Sequence, residues 1–159
     1  IKKINKSIMD DYKKTFEYKR NLFDYFDVLK KSSHTYIFYL NKCKVTYNQK
    51  GCVSFKFTSS WYAGGIGETK DYGLTYRLRD GKKMTVQDVV YGKRSSVKKK
   101  IADTYAKKVY RIGYKYIMKM KYSDIDFYVK PGKKVCVCFG PYQPMGGHGR
   151  SVIVLKGKI

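Results

Sequence analysis

Asp126–Phe139 reads D-F-Y-V-K-P-G-K-K-V-C-V-C-F. Two alternating stretches, Asp126–Lys130 and Lys133–Phe139, flank Pro131–Gly132, a pair that turns the chain. The two-residue strand period puts Val135, Val137 and Phe139 on one face and Cys136 and Cys138 on the other. Downstream of Gly146–Gly149, Val152–Leu155 adds a closing apolar strand. These segments predict short strands of a mainly antiparallel sheet.

Upstream the period lengthens. Val97, Ile101, Tyr105, Val109 and Ile112 form a stripe that predicts a helix over Ser95–Ile112, with Ser95 or Ser96 capping its first turn. Thr85, Gln87 and Asp88 begin a shorter helix or turn. Before them, Tyr72–Arg79 alternates and stops at Asp80–Gly81, which places Tyr72, Leu74, Tyr76 and Leu78 on the apolar side of a strand. Further back, His34–Leu40, Val45–Tyr47 and Cys52–Phe57 read as strands, the last two joined through Asn48–Gly51. The chain opens with Ile4, Ile8, Tyr12 and Phe16 at every fourth position, extended by Phe23 and Phe26 and left through Lys30–Ser33. That is a helix with an aromatic face. The fold class is α+β: a mainly antiparallel sheet with two principal helices packed on it.

The 159 residues and 18.6 kDa suit one domain spanning 1–159, with subregions 1–71 and 72–159 sharing a core. Hydrophobic residues at 43% and only 3 prolines exclude collagen-like, proline-rich and disordered classes. Lys and Arg total 35 against 12 acidic residues, a net charge of +23 that favours anionic partners. No apolar run approaches the roughly 20 residues of a membrane helix, so no membrane insertion is expected from this segment.

Chemistry-bearing constellations are sparse. Cys43, Cys52, Cys136 and Cys138 admit a zinc cluster with His148, one or more disulfides, or reduced structural thiols. The spacing matches alternating strand side chains as well as it matches a ligand clip, so no metal and no cofactor is expected. A Cys–His nucleophilic pair built on His34 or His148 lacks an orienting third group. Asp124 and Asp126 share one side of an extended segment, but that spacing alone makes no acid–base site. No catalytic residue is assigned, and an enzyme is the less favoured reading.

Two glycine-containing loops stand out as recognition surfaces. Trp61–Gly67 reads W-Y-A-G-G-I-G and lacks the lysine and hydroxyl of a phosphate loop. Pro141–Gly149 reads P-Y-Q-P-M-G-G-H-G. Trp61, Tyr62, Gly64, Gly65, Tyr142, His148 and Arg150 are the candidate ligand-binding residues. A different class of function rests on Lys93, Arg94, Lys98–Lys100, Lys107, Lys108, Arg111 and Lys115. Interleaved with Tyr105, Tyr110, Tyr114 and Tyr116, they suit a nucleic-acid backbone with stacked bases.

Tyr72–Gly92, Asp126–Tyr142 and the closing V-I-V-L at Val152–Leu155 also follow a familiar order. With Val53–Phe55 and Tyr62–Gly65 upstream, this order resembles the extracytoplasmic domain of lysozyme-sensing anti-sigma factors, also attached to some bacterial polysaccharide deacetylases. The resemblance spans roughly 35–159 and implies an α+β extracytoplasmic binding or sensory domain. Its implied partner, lysozyme, is commonly basic and is disfavoured by the charge of +23. The leading expectation is a non-enzymatic extracytoplasmic module, secreted or membrane-tethered, that recognises an extracellular protein or an anionic cell-wall polymer. The alternatives are a nucleic-acid-binding protein and a wall-modifying enzyme or its accessory domain.

Overall fold

The computed structural model describes the backbone of residues 1–30, 36–145, 147 and 149–159. The expected helix exit after Lys30, the histidines His34 and His148, and Gly146 lie outside the described residues.

Helix α1 (Lys2–Lys30) precedes a meander of β1 (Ile37–Gln49), β2 (Cys52–Ala63) and β3 (Gly67–Arg77). Short α2 (Val86–Val89), then α3 (Val97–Lys108) and α4 (Gly113–Lys119), lead to a second meander of β4 (Asp126–Lys130), β5 (Lys134–Phe139) and β6 (Ser151–Lys156). The α+β class therefore holds, built on two antiparallel three-stranded sheets, β1-β2-β3 and β4-β5-β6. The strand around Tyr72 and the three C-terminal strands were expected in one sheet, and they divide between the two.

Each sheet takes a helix on one face. On the N-terminal sheet, Val53, Phe57, Tyr72, Leu74 and Tyr76 bury against Ile4 of α1. Polar contacts add to this attachment: the Tyr76 hydroxyl lies 3.1 Å from Ser7 Oγ, and Lys83 Nζ lies 3.9 Å from Asp11. On the C-terminal sheet, Phe127, Val129, Val135, Val137, Phe139 and Ile153 bury against Val97, Ile101, Ala102 and Tyr105 of α3. Gly113 lies so close to the Tyr105 ring that a side chain there would collide with it.

The two sheets meet through β4. A Cβ on Gly73 would collide with the Phe127 carbonyl, so β3 and β4 pass at backbone contact. The next strand over supplies Ser54, whose Oγ accepts from the Val129 N–H at 2.9 Å and lies 2.7 Å from Thr75 Oγ1. Ser54 thus satisfies a donor on an edge strand that has no further strand beside it. Contacts at Gly73 and then Ser54 mean that β4 crosses the N-terminal sheet obliquely. The α3-covered face of the C-terminal sheet turns towards the β1–β2 turn, where Tyr47 and Cys52 join its core. Its other face meets the N-terminal sheet at Lys56, whose ammonium lies 5.6 Å from the Tyr128 ring centroid.

Several expectations are corrected. Tyr12 and Phe16 are exposed, because fourfold spacing drifts around a helix of 3.6 residues per turn, and Asp11, Thr15 and the buried Lys19 take the sheet-facing positions instead. Leu78 is exposed, because β3 ends at Arg77 and Leu78 enters the turn. Val109 and Ile112 are exposed too: α3 ends at Lys108, and the chain turns before α4. Of the three cysteine readings left open, the structure holds free thiols: Cys43 lies opposite Phe57 and Cys52 opposite Gln49.

Candidate functional site

The uncovered face of the C-terminal sheet follows from register. Tyr128 pairs with Cys136, which pairs with Val154, and Asp126 pairs with Cys138, which pairs with Val152. Tyr128, Cys136 and Cys138 are buried together at the foot of this face. Val152 and Val154, on the outer strand, are exposed. Lys130, Lys134 and Lys156 are mutual register partners at one end of the same face.

The adjoining face belongs to the N-terminal sheet, which meets it where Lys56 lies by Tyr128. Alternation along β1 gives one face Phe38, Leu40, Lys42 and Lys44, and along β2 Lys56, Thr58, Ser60 and Tyr62. Phe38, Leu40, Lys42, Lys44 and Tyr62 are exposed. The Phe38 and Tyr62 rings stack 6.4 Å apart at 26°, and Tyr36 continues the row 5.7 Å from Phe38. Lys56 links the two faces, with its ammonium 5.6 Å from the Tyr128 ring centroid.

Asp71 organises the corner. It is buried, accepts from Thr58 Oγ1 at 2.6 Å, and lies 3.1 Å from Lys56 Nζ and 4.0 Å from Arg150. One carboxylate therefore holds two cations at the junction of the sheets, and Lys42 and Lys44 extend the positive wall. Beside it, the Cys138 thiol is pushed well above its ordinary range by burial, reinforced by the carboxylates of Asp126 and Asp71. A thiol so held is protonated and makes a poor nucleophile. Burial likewise raises the Tyr128 phenol, with Cys136 adding to the effect. The arrangement offers cations, stacked rings and aliphatic side chains on adjoining faces of the two sheets.

The expected site residues scatter across this geometry. Tyr62 lies on the aromatic wall, and Arg150 reaches the Asp71 corner. Trp61 points to the other face, where its indole N–H lies 3.4 Å from Glu68 and Lys19 of α1 sits 3.8 Å above its ring. Gly64 and Gly65 form the tip of the β2–β3 turn with positive φ of 63° and 107°, a backbone role. Tyr142 is 67% exposed in the loop after β5. Trp61 and Tyr62 thus belong to opposite faces of one strand, and His148 lies outside the described residues.

Asp124 and Asp126 separate as well. Asp124 is exposed and accepts from Ser123 Oγ at 2.8 Å. Asp126 lines a 220 Å³ hollow with Lys83, Thr85, Tyr122 and Ser123. Burial raises its carboxyl to about 6, against the opposing pull of Lys70 and Lys83. Among the described residues, no three Cys, His, Asp or Glu side chains converge for a metal.

Sequence reading passed over Phe38, Leu40, Lys42, Lys44 and Lys56. The signal was present in β1 as F-Y-L-N-K-C-K at 38–44, in which every second residue is apolar and then basic. No known protein-family pattern matches the chain, and no curated protein matches it.

Proposed function

We propose that the chain is a non-enzymatic extracytoplasmic binding module that holds an extended anionic wall polymer in the angle between its two sheets. The carrying observation is the shared exposed face of Phe38, Leu40, Tyr62, Lys42 and Lys44 on β1 and β2, joined to the uncovered face of the C-terminal sheet where Lys56 meets Tyr128. Lysines at strand spacing match a polymer with regularly placed phosphates or carboxylates, and the rings and aliphatic groups cover its carbon faces. Binding then has a salt-sensitive part from the lysines and a salt-resistant part from the rings.

A second reading follows from the Phe38–Tyr62 pair alone, since stacked rings on a basic sheet also receive the bases of single-stranded nucleic acid. One titration separates the two. Poly(glycerol phosphate), a neutral glycan and a single-stranded oligonucleotide are compared over a salt series, with Phe38→Ala and Lys42→Gln variants. Phe38→Ala should weaken the wall polymer by about 1–2 kcal/mol at all salt concentrations, whereas Lys42→Gln should lower the salt dependence. A stronger effect of Phe38→Ala on the oligonucleotide assigns the wall to bases. Unchanged binding of every polymer by both variants removes this angle as the site.

A further inference from the structure

The opposite side of the C-terminal sheet carries a surface of another kind. From Thr104 to Ser123 the chain has no acidic residue, yet it holds Lys107, Lys108, Arg111, Lys115, Lys119 and Lys121, all exposed. Between these cations stand Val109, Ile112, Tyr116 and Met118, exposed as well, with Ile112 at 49%. Helix α4 explains the arrangement. Gly113 and Ile117, one turn apart, are buried. The helical period then places Arg111, Lys115 and Lys119 along the middle of the outward arc. Met118 flanks that row on one side, and Ile112 and Tyr116 flank it on the other. Beside the row, Ala106, Arg111, Ile112, Tyr114 and Lys115 line an open hollow of about 570 Å³.

We infer that this α3–α4 corner docks on the surface of an anionic lipid bilayer. The chemistry discriminates between polyanions. A row of cations would serve any phosphate array, but Val109, Ile112 and Met118 gain nothing from a phosphodiester backbone and have no flat face for bases. In a headgroup layer, the cations meet lipid phosphates while the aliphatic shoulders enter the acyl boundary and Tyr116 sits at the interface. The hollow between Arg111 and Lys115 has the mixed lining that one headgroup and its glycerol require. The surface lies behind the C-terminal sheet, so docking leaves the angle between the sheets open to solution.

A chain of charge +23 binds anionic vesicles in any orientation, so the test reads orientation. Tyr116→Trp and Tyr36→Trp reporters are made separately in the whole chain, and the wild-type Trp61 signal is subtracted from each. Vesicles contain roughly 30% phosphatidylglycerol in phosphatidylcholine with brominated acyl chains. The Tyr116→Trp reporter should be quenched about threefold more than the Tyr36→Trp reporter, and pure phosphatidylcholine should quench neither. Arg111→Gln with Lys115→Gln should weaken vesicle binding about tenfold. Ile112→Ser with Met118→Ser should remove most of the binding that survives high salt. Equal quenching of the two reporters, or stronger quenching at position 36, overturns the proposal. So does a single-stranded oligonucleotide that perturbs the Tyr116→Trp reporter more than vesicles do. The groove variant Phe38→Ala should leave vesicle binding unchanged, which keeps this test independent of the polymer site.

Discussion

The two helix-on-sheet layers reach burial by different means. In the C-terminal layer, Val97, Ile101, Ala102 and Tyr105 of α3 are all completely buried, and the Tyr105 ring meets Phe139 edge-on at 4.8 Å. In the N-terminal layer, the much longer α1 buries Ile4 near its start and then leaves Met9, Tyr12 and Phe16 exposed. Among the described residues, Ile8 packs only partly, and the further attachments include a hydroxyl pair, a long ion pair and the buried Lys19 over a ring. Helix length therefore does not measure attachment; interdigitation of apolar side chains does.

The comparison breaks most sharply at the two isoleucines. Ile101→Ala should cost about 3–4 kcal/mol, because a rigid surround cannot close over the lost atoms. Ile4→Ala should cost about 1–2 kcal/mol, because the end of α1 can shift towards the gap. Urea unfolding of both variants measures the difference. Equal losses would mean that α1 is held as firmly as α3.

Gly73→Ala tests the seam between the layers. Its added Cβ would strike the Phe127 carbonyl, a backbone atom that cannot swing away, and the expected cost is about 3 kcal/mol. Gly65→Ala is the control. There the new Cβ meets nothing within 4 Å, and only the positive φ of 107° is strained, for about 1 kcal/mol. If Gly73→Ala costs no more than Gly65→Ala, β3 and β4 separate freely and the angle between the sheets is not fixed.

Gly73 also shows where sequence reading stops. The alternation Tyr72–Leu74–Tyr76 correctly gives a strand with one apolar face, yet Asp71, Gly73 and Thr75 on the other face are buried too. Small and polar residues read as a solvated face, whereas here they make room for a crossing strand and bond to it. Strand period reports which residues share a face, not what covers that face. The division into two sheets was therefore illegible, although the class, most strands and the Val97–Ile101–Tyr105 stripe were legible. The same limit applies to the site. Adjacency in W-Y-A-G-G-I-G suggested one surface, but neighbouring strand residues point apart, so Trp61 lies on the α1 face and Tyr62 on the opposite one, beside Phe38.

Asp126 probes the junction through pH. Its carboxyl, raised to about 6 from an ordinary 3.8, binds a proton more tightly in the folded chain than in the unfolded one. Stability should therefore fall as pH rises between about 4 and 6 and stay lower above that window. Asp126→Asn removes the charge that burial penalises. It should stabilise the chain by about 2 kcal/mol at pH 8 and have almost no effect below pH 4. A variant equally stabilising at both pH values would place its effect in packing, not in ionisation.

The smallest expected effect belongs to Lys19, which ties the later part of α1 to Trp61. Two contributions oppose each other there. The ammonium gains from the indole face and from Glu68, but burial disfavours its charged form and lowers its pKa, with Lys70 adding to that shift. A methionine keeps most of the stem and gives up both the charge and its desolvation cost. Lys19→Met should therefore change stability by no more than about 1 kcal/mol, while the emission of Trp61, the only tryptophan, should shift as the cation leaves its ring. Emission and unfolding, measured on one sample, separate the two quantities. A loss of several kcal/mol would mean that this single cation anchors α1 as strongly as a buried apolar side chain anchors α3, and the contrast between the layers would fail. An unshifted emission would mean that Lys19 does not sit over Trp61 in solution, leaving α1 attached only near its start.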